Sequence, residues 1–177
     1  MVQINCTQKL GKFIKTGIND GLPRTDQDWS AHLFFISGRK CILFLHKKTL
    51  YAVMLLDVFK KDMTHINRLF LEEFIDQLRS DNILGSHEVL IRDLYKEIGF
   101  VFTDNDRKTL GAINNIVSVL QGANATGEFA GLESVRHFVS ERVNKIPWQA
   151  LKYGYSKDRM SQMVSQLVLK DMDHTQN

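Results

Sequence analysis

Asp106-Arg107-Lys108 has the acid-x-Lys spacing of some metal-dependent nucleases, in which a carboxylate holds magnesium and the lysine steadies developing negative charge. Asp104 stands just ahead as a second carboxylate. In such enzymes the element sits on a strand, whereas here it opens a helix, so capping of that helix competes as a reading for both acids. Asp104-Asn105-Asp106 also looks like the start of a calcium loop. The pattern then fails, because Thr109 stands where the sharp turn needs Gly and Asn115 where the bidentate Glu belongs.

Other patterns are missing. The histidines at 32, 46, 65, 87, 137 and 174 form no pair at helical ligand spacing, and there is no Cys-x-x-Cys, so neither a metal nor a cofactor is expected. No glycine-rich phosphate loop follows a strand, which removes nucleotide hydrolysis of that type. Cys6 and Cys41 have no activating base in view and read as reduced, packed thiols.

Charge offers a different chemistry. Residues 1–61 hold ten Lys and Arg against four Asp, a surplus of +6, whereas 62–110 hold six against ten, or −4; the whole chain carries +3. Arg39 and Lys40 follow one turn, and Lys60 and Lys61 leave the third strand of the same meander at the same end. Together they would meet phosphates or an acidic protein surface in a salt-dependent way. A solvated rim, or simple complementarity between a basic front and an acidic middle, is the plainer reading.

The elements that must position these residues follow from periodicity. Val2, Ile4 and Cys6 alternate with polar residues as a short strand, and a helix with Leu10, Phe13 and Ile14 on one face runs from Thr7 to about Lys15. The segment 17–28 is rich in Gly, Asn, Asp and Pro and reads as a loop. The apolar runs 31–36, 41–45 and 50–56, separated by Ser37-Gly38 and by 46–49, spell an antiparallel meander. Its strands are apolar at consecutive positions, so both faces need cover, from helices or from a second copy of the chain. Helices are expected over 62–81, from Ser86 to Gly99, from Asp104 or Asp106 to Leu120, over 133–145 and from Lys157, with a strand near 99–103, a loop over 122–131 and a frayed tail over 171–177.

At 177 residues, 44% apolar and 24% charged, the chain is expected to form one domain with its own core: a strand-rich basic part over 1–61 and a helix-rich part over 62–170. Its composition excludes intrinsic disorder. No signal peptide and no membrane-length apolar run are evident, so the expectation is a cytoplasmic protein without membrane contact. The sequons at Asn5 and Asn124 are then without consequence.

Several stretches carry a resemblance: Ile4-Asn5-Cys6-Thr7-Gln8-Lys9-Leu10, Trp29-Ser30-Ala31-His32-Leu33, Arg39-Lys40-Cys41-Ile42-Leu43-Phe44 with Thr49-Leu50-Tyr51, and Asp106-Arg107-Lys108-Thr109-Leu110-Gly111-Ala112-Ile113-Asn114. On these the chain resembles an uncharacterised family of small bacterial proteins, a domain of unknown function also seen as the front portion of some plasmid-borne open reading frames. The resemblance implies a bacterial, often mobile-element setting and brings no activity or catalytic residue with it. The matching stretches do not reach into the last third of the chain, with its 122–131 loop and Trp148. The polar members Asn5, Trp29, His32, Arg107 and Asn114 form a candidate pocket in which Trp29 would stack a planar group while the others bond its edges. The competing reading puts Trp29 in the core and Asn5 and His32 on backbone groups near strand ends.

The expected fold is thus α+β, a small, mostly antiparallel sheet covered by five or six helices. The expected function is a non-enzymatic binding or regulatory module for an acidic or macromolecular partner, protein or nucleic acid, acting through Arg39, Lys40, Lys60 and Lys61. The alternative is a metal-dependent enzyme acting on nucleic acid through Asp104, Asp106 and Lys108.

Overall fold

A computed structural model describes residues 1–14, 18–19 and 25–175, with side chains over 1–14 and 25–169. Val2, Ile4 and Cys6 alternate along β1 (Val2–Cys6), and α1 (Gln8–Ile14) follows at once. After β2 (Ile18–Asn19) comes the meander: β3 (Trp29–Ile36), β4 (Arg39–His46) and β5 (Ala52–Leu55). Ser37 and Gly38, with φ of 48° and 76°, make the two-residue turn between β3 and β4. Positive φ at both positions matches the right-handed twist of the strands they join, which is why a glycine stands there.

A 3-10 turn, Lys60–His65, leads into α2 (Ile66–Ser80), followed by α3 (Glu88–Leu94) and β6 (Ile98–Phe102). Then come α4 (Arg107–Ala125), α5 (Leu132–Glu141), the small hairpin of β7 (Pro147–Trp148) and β8 (Gly154–Tyr155), and α6 (Ser156–Thr175). Three expectations need correction. The helix α4 runs on to Ala125 into the segment read as a loop. Residues 171–175, expected to fray, continue α6. Ile18 and Asn19, inside the expected loop, pair with Phe100 and Val101.

The class is α+β, as the sequence implies, but the sheet is mixed. Its order is β2-β6-β1-β3-β4-β5. The meander is antiparallel throughout, whereas β1 is parallel to both β3 and β6, and β6 is parallel to β2. Antiparallel order was expected because a short turn dictates it inside the meander. Strands separated by a helix carry no such turn, and a helical crossover such as α1 returns the chain to pair in parallel.

Both faces of the meander are covered from within the chain. Ala31, Leu33, Ile42, Phe44, Val53 and Leu55 point to one side, into a core with Phe70, Phe74 and Leu78 of α2, Ile91 of α3 and Met160 of α6. Phe34, Ile36, Cys41, Leu43, Leu45, Ala52 and Met54 point to the other, against Ile113, Ile116 and Leu120 of α4 and Val135 and Val139 of α5. The consecutive apolar runs are therefore the mark of two cores sharing one sheet. No second copy is needed to cover it.

Two polar devices hold the layers. The buried side chain of Asn144 accepts from the backbone N–H of Ala52 at 2.7 Å and donates to the carbonyl of Ala52 at 3.0 Å, closing the free edge of β5 as another strand would. Asp81, at the end of α2 and with a side chain 0% exposed, accepts from Tyr51 at 2.5 Å, Gln77 at 3.3 Å, Lys157 at 3.2 Å and Ser140. One buried carboxylate so ties the residue that leads into β5 to α2, α5 and α6, and its charge is matched by the lysine.

Candidate functional site

The β3–β4 hairpin carries its own face one step past the helices that cover it. Phe35 and Lys40 are opposed in the ladder, on the side of Leu33 and Ile42, and both are exposed, Phe35 to 41%. The amphipathic α1 supplies Lys9 from its first turn and Phe13 from its last, while Leu10 and Ile14 hold it in the core. The 3-10 turn after the meander supplies Lys60 and Lys61. It is pinned by the Asp62 carboxylate, which accepts from the backbone N–H of Phe59 at 2.6 Å.

These side chains alternate as cation and ring. The Lys9 ammonium lies 4.7 Å from the centre of the Phe35 ring and Lys40 lies 5.9 Å from it. Lys40 is also 6.0 Å from the Phe13 ring, and Lys60 is 5.2 Å from it while donating to the carbonyl of Phe13. Lys61 stands 5.7 Å from the ring of Phe59, itself 55% exposed. Among the described residues, none of these lysines has an ion-pair partner. An exposed ammonium over a ring contributes about 0.5–1 kcal/mol, enough to keep these cations gathered and little enough to release them to an anion.

Of the sequence candidates, Lys40 and Lys60 come together over Phe13, and Lys61 sits beside Phe59. Arg39 points elsewhere and pairs with Asp57 at 2.7 Å.

The candidate pocket around Trp29 is not assembled. Trp29 is 0% exposed. Its ring meets Phe70 at 5.1 Å and Phe74 at 5.0 Å, edge to face, and its Nε1 donates to the Tyr95 hydroxyl at 2.9 Å. Nothing can stack on a ring so enclosed. Asn5 is buried and donates to the carbonyl of Trp29 at 3.2 Å. His32 shares a hydrogen bond with Thr7 Oγ1 at 3.2 Å, and burial first, then the charge of Lys9, holds its pKa below the ordinary imidazole value. Arg107 and Asn114 are exposed on α4.

The two carboxylates of the acid-x-Lys element already have work. Asp106 is the N-cap of α4, accepting from the backbone N–H of Lys108 at 3.1 Å and from the Thr109 hydroxyl. Asp104 accepts from Lys47 at 2.7 Å in a mostly buried pair. Lys108 Nζ lies 3.5 Å from the carbonyl of Lys47. Among the described residues, no cluster of His, Cys, Asp and Glu is arranged to hold a metal ion, and no helix is long and apolar enough to cross a membrane.

A cleft of about 690 Å³ opens between α2 and α5. Arg136 crosses it to Glu73 at 2.8 Å, and the wall residues Gln77 and Ser140 turn inward to Asp81. Its Asp, Glu and Arg side chains are all paired within the protein.

The sequence reading missed Lys9, Phe13, Phe35 and Phe59. Phe35 was absorbed into an apolar run read as buried. The signal that finds it is the turn: a two-residue loop at Ser37-Gly38 fixes Ile36 opposite Arg39 and Phe35 opposite Lys40. That pairing puts Phe35 on the lysine's face. No curated protein and no solved structure matches the chain. Residues 3–159 match DUF6933, a domain of unknown function, and the chain belongs to that family.

Proposed function

We propose that the protein is a non-enzymatic binding module that docks an anionic macromolecular partner on the edge formed by Lys9, Phe35, Lys40, Phe13 and Lys60. The observation that carries the reading is the gathering of several ammonium groups, without carboxylate partners among the described residues, on three elements that the core holds rigidly. Elsewhere the basic side chains are largely spent: Arg79, Arg92 and Arg136 each pair with two acids. A row of like charges without carboxylate partners costs stability through self-repulsion, and a bound anion relieves that cost. The setting that accompanies the reading is bacterial and cytoplasmic, where free thiols such as Cys6 and Cys41 stay reduced.

The test is equilibrium binding of a labelled heparin fragment, a polyanion without sequence, across a salt series. The parent protein should bind with an affinity that falls steeply with salt. Lys40→Glu with Lys60→Glu should lower affinity about tenfold or more at low salt and flatten the dependence. Equal affinity in the double variant would remove the edge from consideration.

A further inference from the structure

We infer that the occupant of this edge is a single-stranded nucleic acid, with bases on the Phe35 and Phe13 rings and phosphates on Lys9, Lys40 and Lys60. The inference rests on the binding reading above and gives it a ligand class. Charge alone would suit any polyanion. What narrows the choice is that the rings and cations alternate, so that each aromatic face lies between two ammonium groups 4.7–6.0 Å away. A single strand has the same alternation, flat bases joined by phosphates. A duplex keeps its base faces stacked inside and would meet only the lysines. An acidic peptide would pair with the lysines and present no flat face to the rings.

The geometry also explains how the rings stay available in water. Phe35 is 41% exposed yet anchored in a strand whose neighbours Phe34 and Ile36 are buried, so the ring cannot fold away into the core. Phe13 is half-buried, and the carbonyl that follows its ring is bonded by Lys60. In the free protein the ammonium groups cover these rings. A base stack is worth more than an exposed cation–ring contact, so a base displaces the ammonium, which then swings to the adjoining phosphate. Phe59, 55% exposed beside Lys61, is a further ring and cation directly next to Lys60 in the sequence. Because every base has a stacking face, recognition of this kind tolerates sequence.

The test is fluorescence anisotropy at low salt with four labelled probes: a mixed-sequence single-stranded RNA, the DNA strand of the same sequence, the corresponding duplex, and poly-glutamate. Phe35→Leu removes the ring and keeps the apolar bulk; Phe35→Tyr keeps the ring. Melting curves for each variant establish that the fold is retained. The expected result is tighter binding of at least one single strand than of the duplex or poly-glutamate. Phe35→Leu should weaken that binding about fivefold or more, Phe35→Tyr should restore it, and poly-glutamate affinity should not move. The RNA and DNA arms tell which sugar is preferred. If the duplex or poly-glutamate binds at least as tightly as both single strands, or Phe35→Leu has no effect, the single-strand inference is overturned; loss of that binding in Lys40→Glu would leave the anionic-partner reading standing. If no probe binds, both fall.

Discussion

Phe35 and Lys40 stand opposite each other in the β3–β4 ladder, and the ammonium of Lys40 lies 5.9 Å from the centre of the Phe35 ring. The same ammonium reaches the Phe13 ring of α1, so one lysine links a strand residue to a helix residue at the exposed end of the sheet. Since Lys9 and Lys60 approach the same two rings, repulsion among the cations offsets much of what the rings contribute. Lys40→Glu should therefore leave stability within about 0.5 kcal/mol of the parent, or raise it, while weakening polyanion binding. Chemical denaturation read beside the binding assay checks this. A loss of more than about 1 kcal/mol would make Lys40 a structural residue.

Asn144 should be worth far more than any lysine of the row. Its amide serves both the N–H and the carbonyl of Ala52, which have no strand beyond them. Asn144→Ala leaves two buried backbone groups unpaired, and a loss of about 2–4 kcal/mol in denaturant unfolding follows. The exposed edge of β5 should also raise the apparent mass in solution at high concentration. A variant as stable as the parent would show that the edge finds another partner.

The Asp81 cluster makes an ordered pair of predictions. Tyr51→Phe removes one of several donors to the carboxylate and should cost about 1–2 kcal/mol. Asp81→Ala strands the Tyr51 hydroxyl and the Lys157 ammonium together, and about 3–5 kcal/mol is expected. Urea midpoints in the reverse order would contradict the assignment of Asp81 as the centre of the network.

Stability should fall on mild acidification because of His46. Its ring is fully buried, its Nδ1 accepts from the Thr49 N–H at 3.2 Å, and burial pulls its pKa from 6.5 to about 3. Between those values the unfolded chain binds a proton that the native protein refuses. The native state is therefore fully favoured above pH 6.5 and loses about 1.4 kcal/mol per pH unit below it. His32, also depressed by burial, acts in the same direction. Unfolding free energies measured just below pH 6.5 should show the slope, and His46→Gln should reduce it. An equal slope in that variant would assign the acid sensitivity to other groups.

What the sequence disclosed and what it hid have physical reasons. The meander was legible because Ser37-Gly38 can only turn one way, and the need for two covered faces was legible because Leu33, Phe34, Phe35 and Ile36 leave no polar stripe. The parallel placement of β1 and β6 was not, since no tight turn ties these short strands to a neighbour and nothing in so few residues names the strand each will pair with. The hairpin of β7 and β8 was too short for periodicity, and its left-handed turn falls on Lys152 and Tyr153, with φ of 53° and 60°, rather than on a glycine. For the site, residue type misled where burial decided. Trp29 admitted both a stacking platform and a core residue and is the second, while Phe35 looked like core and is exposed. Lys40 and Lys60 were found because charge is written in the sequence; the rings between them depend on which side of a strand they leave, a matter of register.

The account turns on where a bound polyanion sits. Backbone amide NMR of the labelled protein, followed during addition of a short single-stranded oligonucleotide, locates it directly. The account predicts shifts concentrated at Lys9, Phe13, Phe35, Lys40 and Lys60, with the α2–α5 cleft and the exposed face of α4 unmoved. Shifts centred instead on Arg107 and Asn114, or on Arg136 and His137, would contradict it.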